Sequence, residues 1–310
     1  MSQYFLGVDG GQSGTTAVIG DETGRVLGLG RGGPSNYAGA PDGPAKFVEA
    51  LRSSLQGACM QAGLDPEHVR FAGACLGLSG GPADKEPLVR EIVASERIIL
   101  TDDAPIALSG ATAGKPGIIV IAGTGSIAFG RNREGNTARA GGWGYLLGDE
   151  GAAFWIARQA MRAALRWEEG WGVATSLRAR LLDATGARNM NDLMHRCYTP
   201  EFARPRIAGW SVIVNQAAES GDRTALEVLD AAAHELALLV AAVRRELFGD
   251  RATQVSYAGG VFGSRIVLSR FREWALSEAG VRVSPPVYGP VIGALLEAYR
   301  AAGVGIGAIH

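Results

Sequence analysis

Cysteine and histidine are scarce in this chain of 310 residues, and a surplus of either charge is missing. Cys59, Cys75 and Cys197 are scattered and odd in number, which excludes a zinc or iron–sulfur ligand spacing and a disulfide framework. They read as buried apolar fillers. His68, His195, His234 and His310 fall far apart, and His234, inside a long helical stretch, reads as a core or surface residue rather than a ligand. The 30 basic and 31 acidic residues leave a net charge of -1, so there is no electrostatic footprint for nucleic acid or an anionic membrane. No apolar run approaches the ~20 residues needed to span a bilayer, and Met1-Ser-Gln-Tyr carries neither the basic start nor the apolar core of a secretory leader. The expectation is a cytoplasmic protein with a small-molecule substrate. With 47% hydrophobic and 20% charged residues the chain is ordinary for a globular protein, which argues against disorder, and its length suits two domains with a core each.

What the chain does have is glycine in particular places. Phe5-Leu-Gly-Val-Asp-Gly-Gly-Gln-Ser-Gly-Thr-Thr-Ala-Val-Ile19 reads as two apolar strands joined by a turn of Asp9, Gly10, Gly11, Gln12, Ser13 and Gly14. Such a turn can aim several amide N–H groups at one anion, and the hydroxyls of Ser13, Thr15 and Thr16 add neutral donors. Asp9 would repel a bare phosphate but would hold a magnesium ion, directly or through its waters. An acid beside a phosphate cradle therefore points to a metal nucleotide; taken alone, the stretch is equally a tight β-hairpin. The pattern recurs. Gly117-Ile-Ile-Val-Ile-Ala-Gly-Thr-Gly-Ser-Ile-Ala-Phe-Gly130 is again strand, Gly/Thr/Ser turn and strand, and each copy runs on into a polar hairpin, Asp21-Glu-Thr-Gly24 and Asn132-Arg-Glu-Gly135. This is an internal duplication of a three-stranded unit. Ala122 stands where the first copy has Asp9, so only one half offers the carboxylate.

Further along, Phe47, Val48, Leu51, Leu55, Ala58 and Cys59 form one stripe of a helix over Ala45 to Ala62, stopped at Gly63. A small-residue strand at Arg70 to Leu78, a helix near Lys85 to Ser95 and a short strand at Ile98 to Leu100 imply a right-handed parallel crossover. That last strand ends in Thr101-Asp-Asp103, ahead of a helix starting near Pro105. A carboxylate at the C-terminal end of a sheet strand lies where α/β proteins put reactive groups, and it could take the proton of a hydroxyl attacking a γ-phosphoryl. Asp followed by Pro is also an ordinary helix cap, and both roles stay open. Ala140-Gly-Gly-Trp-Gly-Tyr-Leu-Leu-Gly-Asp-Glu-Gly-Ala152 is costly in chain entropy unless it closes around something, so it reads as a ligand loop at the head of a helix over Ala152 to Trp167. A mostly helical, charged insertion covers Trp171 to Phe202, followed by helices near Pro205 to Ser220 and over Asp222 to Phe248. Ala258-Gly-Gly260, between a strand and a helix, suits either a helix-start turn or a place where a flat ring slides against backbone. A last strand at Val281 to Pro286 and a final helix over Tyr288 to Arg300, with small residues on its packing face, close the chain.

Taken in order, Asp9-Gly-Gly, Asp103-Ala-Pro, Gly123-Thr-Gly-Ser126, Gly142-Trp-Gly, Gly148-Asp-Glu-Gly151 and Ala258-Gly-Gly260 resemble the N-acetylglucosamine kinase and glucosamine kinase group. That group sits among the BadF/BadG/BcrA/BcrD-type ATPases of the actin-like ATPase superfamily, and the match runs over nearly the whole chain. The resemblance implies an α/β fold of two ribonuclease-H-like domains around a central cleft, with a duplicated β-β-β-α-β-α core. Domain bounds of 1–107 and 108–291 are expected, with a C-terminal helix at about 292–310 packing back on the first domain. It implies ATP and Mg2+ as cofactors and an amino sugar as substrate. Gly10, Gly11, Gln12, Ser13, Gly14 and Thr15 would match the first phosphate loop, Gly123, Thr124, Gly125 and Ser126 the second, and Gly259 and Gly260 the adenosine motif. Asp9 would hold the metal. Asp103 would be the catalytic base facing the sugar 6-hydroxyl, with Asp102 a competitor for that role, and Asn36, Thr124 and Asp149 would touch the sugar. Members of the group often pair, so a homodimer is expected. Two other classes stay open: an activator ATPase for electron transfer, which would need bridging cysteines these three do not supply, and a non-catalytic sugar sensor, which would not need Asp9 and Asp103.

Overall fold

The computed structural model describes residues 3–35, 42–80 and 84–310. The chain divides into two compact units, Met1–Gly117 with Pro285–His310, and Ile118–Ser284. Each carries a five-stranded sheet of the same design.

In the first unit β1 (Tyr4–Gly10), β2 (Thr15–Asp21) and β3 (Val26–Gly32) form an antiparallel meander. Helix α1 (Gly43–Ala62) then crosses to β4 (Gly73–Leu78), and α2 (Glu86–Ile92) leads to β5 (Ile98–Thr101) and α3 (Asp103–Ala111). The sheet order is β3-β2-β1-β4-β5, with β4 parallel to both β1 and β5. The predicted helical stripe of α1 is real: Phe47, Leu51, Leu55, Ala58 and Cys59 are buried in a core with Leu6, Val8, Ile19 and Leu76. Each such aliphatic or aromatic side chain contributes about 1.5–3 kcal/mol of transfer free energy. Gly63 ends α1 in the left-handed conformation at φ 68°, and the N–H of Leu64 reaches back to the Cys59 carbonyl. The alternating glycines of β3 explain how α1 lies so close. A Cβ on Gly28, Gly30 or Gly32 would fall on the backbone carbonyl oxygens of Ala58, Ser54 and Ala50 respectively. All three glycines share one face of the strand, so helix backbone packs directly on strand backbone.

The second unit repeats the meander with β6 (Gly117–Ala122), β7 (Ser126–Arg131) and β8 (Thr137–Gly141). Six helices follow in place of one crossover: α4 (Ala153–Glu168), α5 (Leu177–Thr185), α6 (Met190–Cys197), α7 (Arg204–Gly209), α8 (Ser211–Glu219) and α9 (Arg223–Leu247). Then β9 (Thr253–Ala258), α10 (Arg265–Leu276) and β10 (Val281–Ser284) complete the sheet. Its order, read from the far edge, is β8-β7-β6-β9-β10, the same succession as in the first unit, with β9 parallel to β6 and β10. The predicted duplication is therefore present in full. Asp222 caps the long helix α9 by accepting from the Ala225 N–H at 3.0 Å, and Leu229, Leu236, Val240 and Val243 of α9 are buried against the sheet. The predicted insertion is indeed helical and has its own small core, in which Leu181, Met190, Leu193, Phe202, Ile207 and Trp210 gather against Ala157 and Ala164 of α4.

The final helix α11 (Pro290–Ala302) belongs to the first unit. Its Leu295, Ala298 and Tyr299 are buried with Phe5 and Val18. Cys59 and Cys75 are buried as expected of fillers, Cys197 is half-buried, and the His234 ring packs against Trp274.

The glycine row of β3 gives a direct test by equilibrium urea unfolding. Gly30→Ala is expected to lose about 1–3 kcal/mol through overpacking against α1. Gly33→Ala, whose Cβ meets nothing within 4 Å, should change stability by less than about 0.5 kcal/mol. Equal effects of the two would contradict the close-approach account.

Candidate active site

In the first unit the parallel strands β1, β4 and β5 all end at one edge of the sheet, and each carries a polar group there. Asp9 stands opposite Gly77, Gly10 opposite Leu78, and Gly77 opposite Thr101, so the strand ends are in step. Ser79 follows β4 directly, and its hydroxyl donates to Asp103 Oδ2 at 3.0 Å. Asp103 is not ahead of the helix, as the sequence suggests, but in the first turn of α3. Asp102 occupies the cap position yet its side chain makes no cap hydrogen bond, so the capping role is not what either carboxylate does here. Both are exposed. Asp9 is half-buried, and burial, then the nearby Asp103 carboxylate, push its carboxyl up to about 6. Two acids thus share one edge of the sheet.

The turn after Asp9 is the tight hairpin that its glycines allow. The Gly11 N–H closes it by donating to the Gly14 carbonyl at 3.0 Å, while the N–H groups of Gln12, Ser13 and Gly14 have no partner among the described residues. Gln12 and Ser13 are exposed. Thr15 is buried and its hydroxyl is spent on the Gly33 carbonyl at 2.9 Å, so it shapes the hairpin rather than offering a free donor. Asn36 lies outside the described residues.

The second unit places the corresponding parts at the ends of β6 and β9. In the loop Gly123 to Gly125 the Gly123 N–H donates to the Gly125 carbonyl, and the N–H groups of Thr124 and Gly125 have no partner among the described residues. Ser126 is the exception to the predicted pattern. It is buried, its hydroxyl donates to the Glu150 carbonyl at 2.7 Å and its N–H to Asp149 Oδ1 at 3.2 Å. It ties the loop to residues 149 and 150 instead of presenting a hydroxyl. Asp149 itself is buried, holds a left-handed φ of 62°, and is ion-paired to Arg204. Arg204 also donates to the Thr124 carbonyl at 3.3 Å.

The paired glycines after β9 serve different ends. Gly259 has φ 101°, and a Cβ there would land on the Ala122 backbone, so the chain leaving β9 lies against the end of β6 at this residue. Gly260 has nothing within 4 Å of its Cβ position and lines a pocket of about 280 Å³ with Ser211, Asn215, Val261, Ser264 and Val267. Trp143, in the glycine-dense loop, is exposed, with the Arg139 guanidinium 4.6 Å from its ring centre. Leu146 and Leu147 beside it are almost wholly exposed.

Two residues of these sites escape a reading of the sequence alone. Ser79 could have been found by the rule that finds Asp103, since it directly follows a parallel strand. Arg204 has no local signal, because its partners Thr124 and Asp149 are 80 and 55 residues away.

Comparison with known proteins agrees with the fold. The BadF/BadG/BcrA/BcrD ATPase family matches residues 6–298. An N-acetylmuramic acid/N-acetylglucosamine kinase of Clostridium acetobutylicum is 35% identical over 268 residues, covering 84% of this chain and 86% of that protein. An N-acetyl-D-glucosamine kinase of Dictyostelium discoideum is 30% identical over 282 residues, covering 86% and 88%. Among solved structures, one from Chromobacterium violaceum, described as a candidate N-acetylglucosamine kinase, superposes with a TM-score of 0.72 at 28% identity over 95% of this chain and 98% of that one. The chain belongs to the BadF/BadG/BcrA/BcrD ATPase family.

Proposed function

We propose that this protein is an ATP-dependent kinase that transfers the γ-phosphate of ATP to the 6-hydroxyl of an amino sugar, N-acetylglucosamine or glucosamine. The observation that carries the reading is that each unit has a hairpin tip whose amide N–H groups lack partners among the described residues, Gln12 to Gly14 in the first and Thr124 to Gly125 in the second, and that the first adds carboxylates at the end of its sheet. Amides of this kind bind phosphate oxygens without adding charge, and phosphoryl transfer asks a protein mainly for positioning and charge stabilisation. The kinase activities named for the relatives from Clostridium and Dictyostelium support the same class of substrate.

The residue roles follow from chemistry. Asp103, exposed and oriented by the Ser79 hydroxyl, accepts the proton of the attacking sugar hydroxyl. The turn from Gly10 to Thr15 and the loop from Gly123 to Ser126 bind the phosphates, with Thr15 and Ser126 acting through the shape of each loop. Gly259 and Gly260 border the adenosine, for which the pocket beside Gly260 offers an apolar wall of Val261 and Val267 and the polar edge of Ser211 and Asn215. Thr124 and Asp149 contact the sugar. A carboxylate offers about four acceptor sites, and Ser126 and Arg204 occupy two of those of Asp149, leaving others for hydroxyls. In the cell we place the protein in the cytoplasm, with ATP and a small sugar rather than nucleic acid or membrane as partners, and as a homodimer.

The donor set at Asp9 fits Mg2+. Among the described residues no cluster of three or more His, Cys, Asp or Glu side chains could enclose a metal ion. Mg2+ is ordinarily held through one or two carboxylates, waters and substrate phosphates, which is what one half-buried acid beside a phosphate hairpin supplies. Asp9 would hold the ion, and the ion would supply neutralising charge to the phosphate oxygens.

Two experiments test this reading. ADP release from Mg-ATP should depend on the sugar when glucosamine, N-acetylglucosamine, N-acetylmannosamine, N-acetylmuramic acid and glucose are compared with no sugar. Asp103→Asn should lower that rate by about 10²–10⁴-fold while the protein stays folded. Equal ATP hydrolysis in every sample would favour an activator ATPase, and binding of sugar without turnover would favour a sensor. The second experiment concerns pH. In the metal-free protein Asp9 is protonated when folded up to about 6 but ionises near 3.8 when unfolded, so the unfolded state binds fewer protons between those values. Stability should therefore fall as pH rises through that window, by at most about 3 kcal/mol. Asp9→Asn should abolish this component and unfold at higher urea than wild type at pH 7–8. A wild-type-minus-variant difference that is flat from pH 4 to 7 would contradict the raised carboxyl.

A further inference from the structure

The helical segment between α4 and α8 matches none of the glycine motifs, yet it delivers one side chain to the second loop. Arg204 is the first residue of α7, and Pro205 behind it fixes the start of that helix. Ile207 of the same helix is anchored in the small core with Phe202 and Trp210. From this fixed base the guanidinium reaches Asp149 Oδ2 and the Thr124 carbonyl. It lies 5.1 Å from the Tyr145 ring centre and 5.9 Å from that of Phe154, two rings that meet edge to face at 5.2 Å. Its Nε is buried with no hydrogen-bond partner among the described residues. Asp149 is held in turn by the Ser126 N–H, and its carboxylate lies so close to Gly125 that a Cβ there would meet it at 2.7 Å. One guanidinium therefore joins the second glycine loop, the loop carrying Tyr145 and Asp149, and the helical segment.

We propose that Arg204 is a positioning residue for amino-sugar binding: it orients the Asp149 carboxylate and fixes the Thr124 carbonyl, so that the helical segment sets the sugar-side geometry of the second loop. This rests on the reading of Asp149 and Thr124 as sugar contacts. The physical reason is that Asp149 is a buried charge whose counter-ion among the described residues is Arg204. Removing Arg204 leaves that carboxylate uncompensated and free to abandon its left-handed backbone conformation and its bond to Ser126. Lysine would restore the charge but not the planar guanidinium, whose Nη2 serves both oxygens while its carbon lies 5.1 and 5.9 Å from the Tyr145 and Phe154 ring centres.

The test compares wild type, Arg204→Ala and Arg204→Lys by steady-state kinetics with N-acetylglucosamine and ATP, and by amide hydrogen exchange at Ser126. Loss of one buried polar partner corresponds to about 10–100-fold, so Arg204→Ala should raise the KM for the sugar by that factor and by clearly more than it raises the KM for ATP. Exchange at the Ser126 amide should quicken by about 10-fold or more, with Arg204→Lys intermediate in both. A parallel rise of both KM values, or unchanged Ser126 protection in a folded variant, would overturn the assignment. If wild type shows no sugar-dependent turnover, the kinase reading fails separately, and Ser126 exchange decides whether Arg204 holds the loop. Should Arg204→Ala fail to fold, Arg204→Lys carries both measurements.

Discussion

The parallel pairing of β4 with β1 and β5 is the constraint from which the first candidate site follows. Parallel strands joined by right-handed crossovers bring all their C-terminal ends to one edge, and whatever polar residues stand there are forced together. Asp9, Ser79 and Asp103 are separated by tens of residues in the chain and converge only because the register puts Asp9 beside Gly77 and Gly77 beside Thr101. The register in turn depends on close backbone packing. The glycines of β3 let α1 lie on the sheet, and α11 approaches β1 through Gly7, where a Cβ would meet the Val291 carbonyl at 2.8 Å.

Convergence of acids has an electrostatic consequence. Asp9 is held well above the ordinary carboxylate range by burial and by Asp103, so the metal-free fold is less stable near neutral pH than its packing alone would allow. On the proposed reading, a cation held at Asp9 would offset this repulsion. The second unit answers the problem of a buried acid differently. Asp149 is paired with Arg204 within the protein, beside a loop in which the Thr124 and Gly125 amides have no partner among the described residues. On the proposed reading, one half of the duplication leaves its acid for a cation, and the other uses its acid both to hold a loop in shape and to meet the sugar.

Much of this was legible in the sequence because it is written in local patterns. The Asp9-Gly-Gly and Gly123-Thr-Gly-Ser126 hairpins, the helical stripe of α1 and the repeat of the three-stranded unit each declare themselves within about 20 residues of chain. The start of α3 was misplaced by two residues, since Pro105 marks a first turn and not a first residue. The roles of Thr15 and Ser126 were less legible still. Each carries a hydroxyl in a phosphate-type loop, and only the structure shows those hydroxyls turned inward onto Gly33 and Glu150. Arg204 could not be found at all. Its meaning comes from Thr124 and Asp149, far away in the chain, and an arginine before a proline says nothing by itself.

The central claim is that phosphate leaves ATP for a sugar hydroxyl and not for water. The measurement that tests it most directly is product analysis of one reaction with Mg-ATP and N-acetylglucosamine, quantifying ADP, inorganic phosphate and phosphorylated sugar by mass spectrometry, with the position of the phosphate read by NMR. The account predicts one sugar 6-phosphate per ADP and little free phosphate. ADP accompanied by an equal amount of inorganic phosphate, with no phosphorylated sugar, would contradict it.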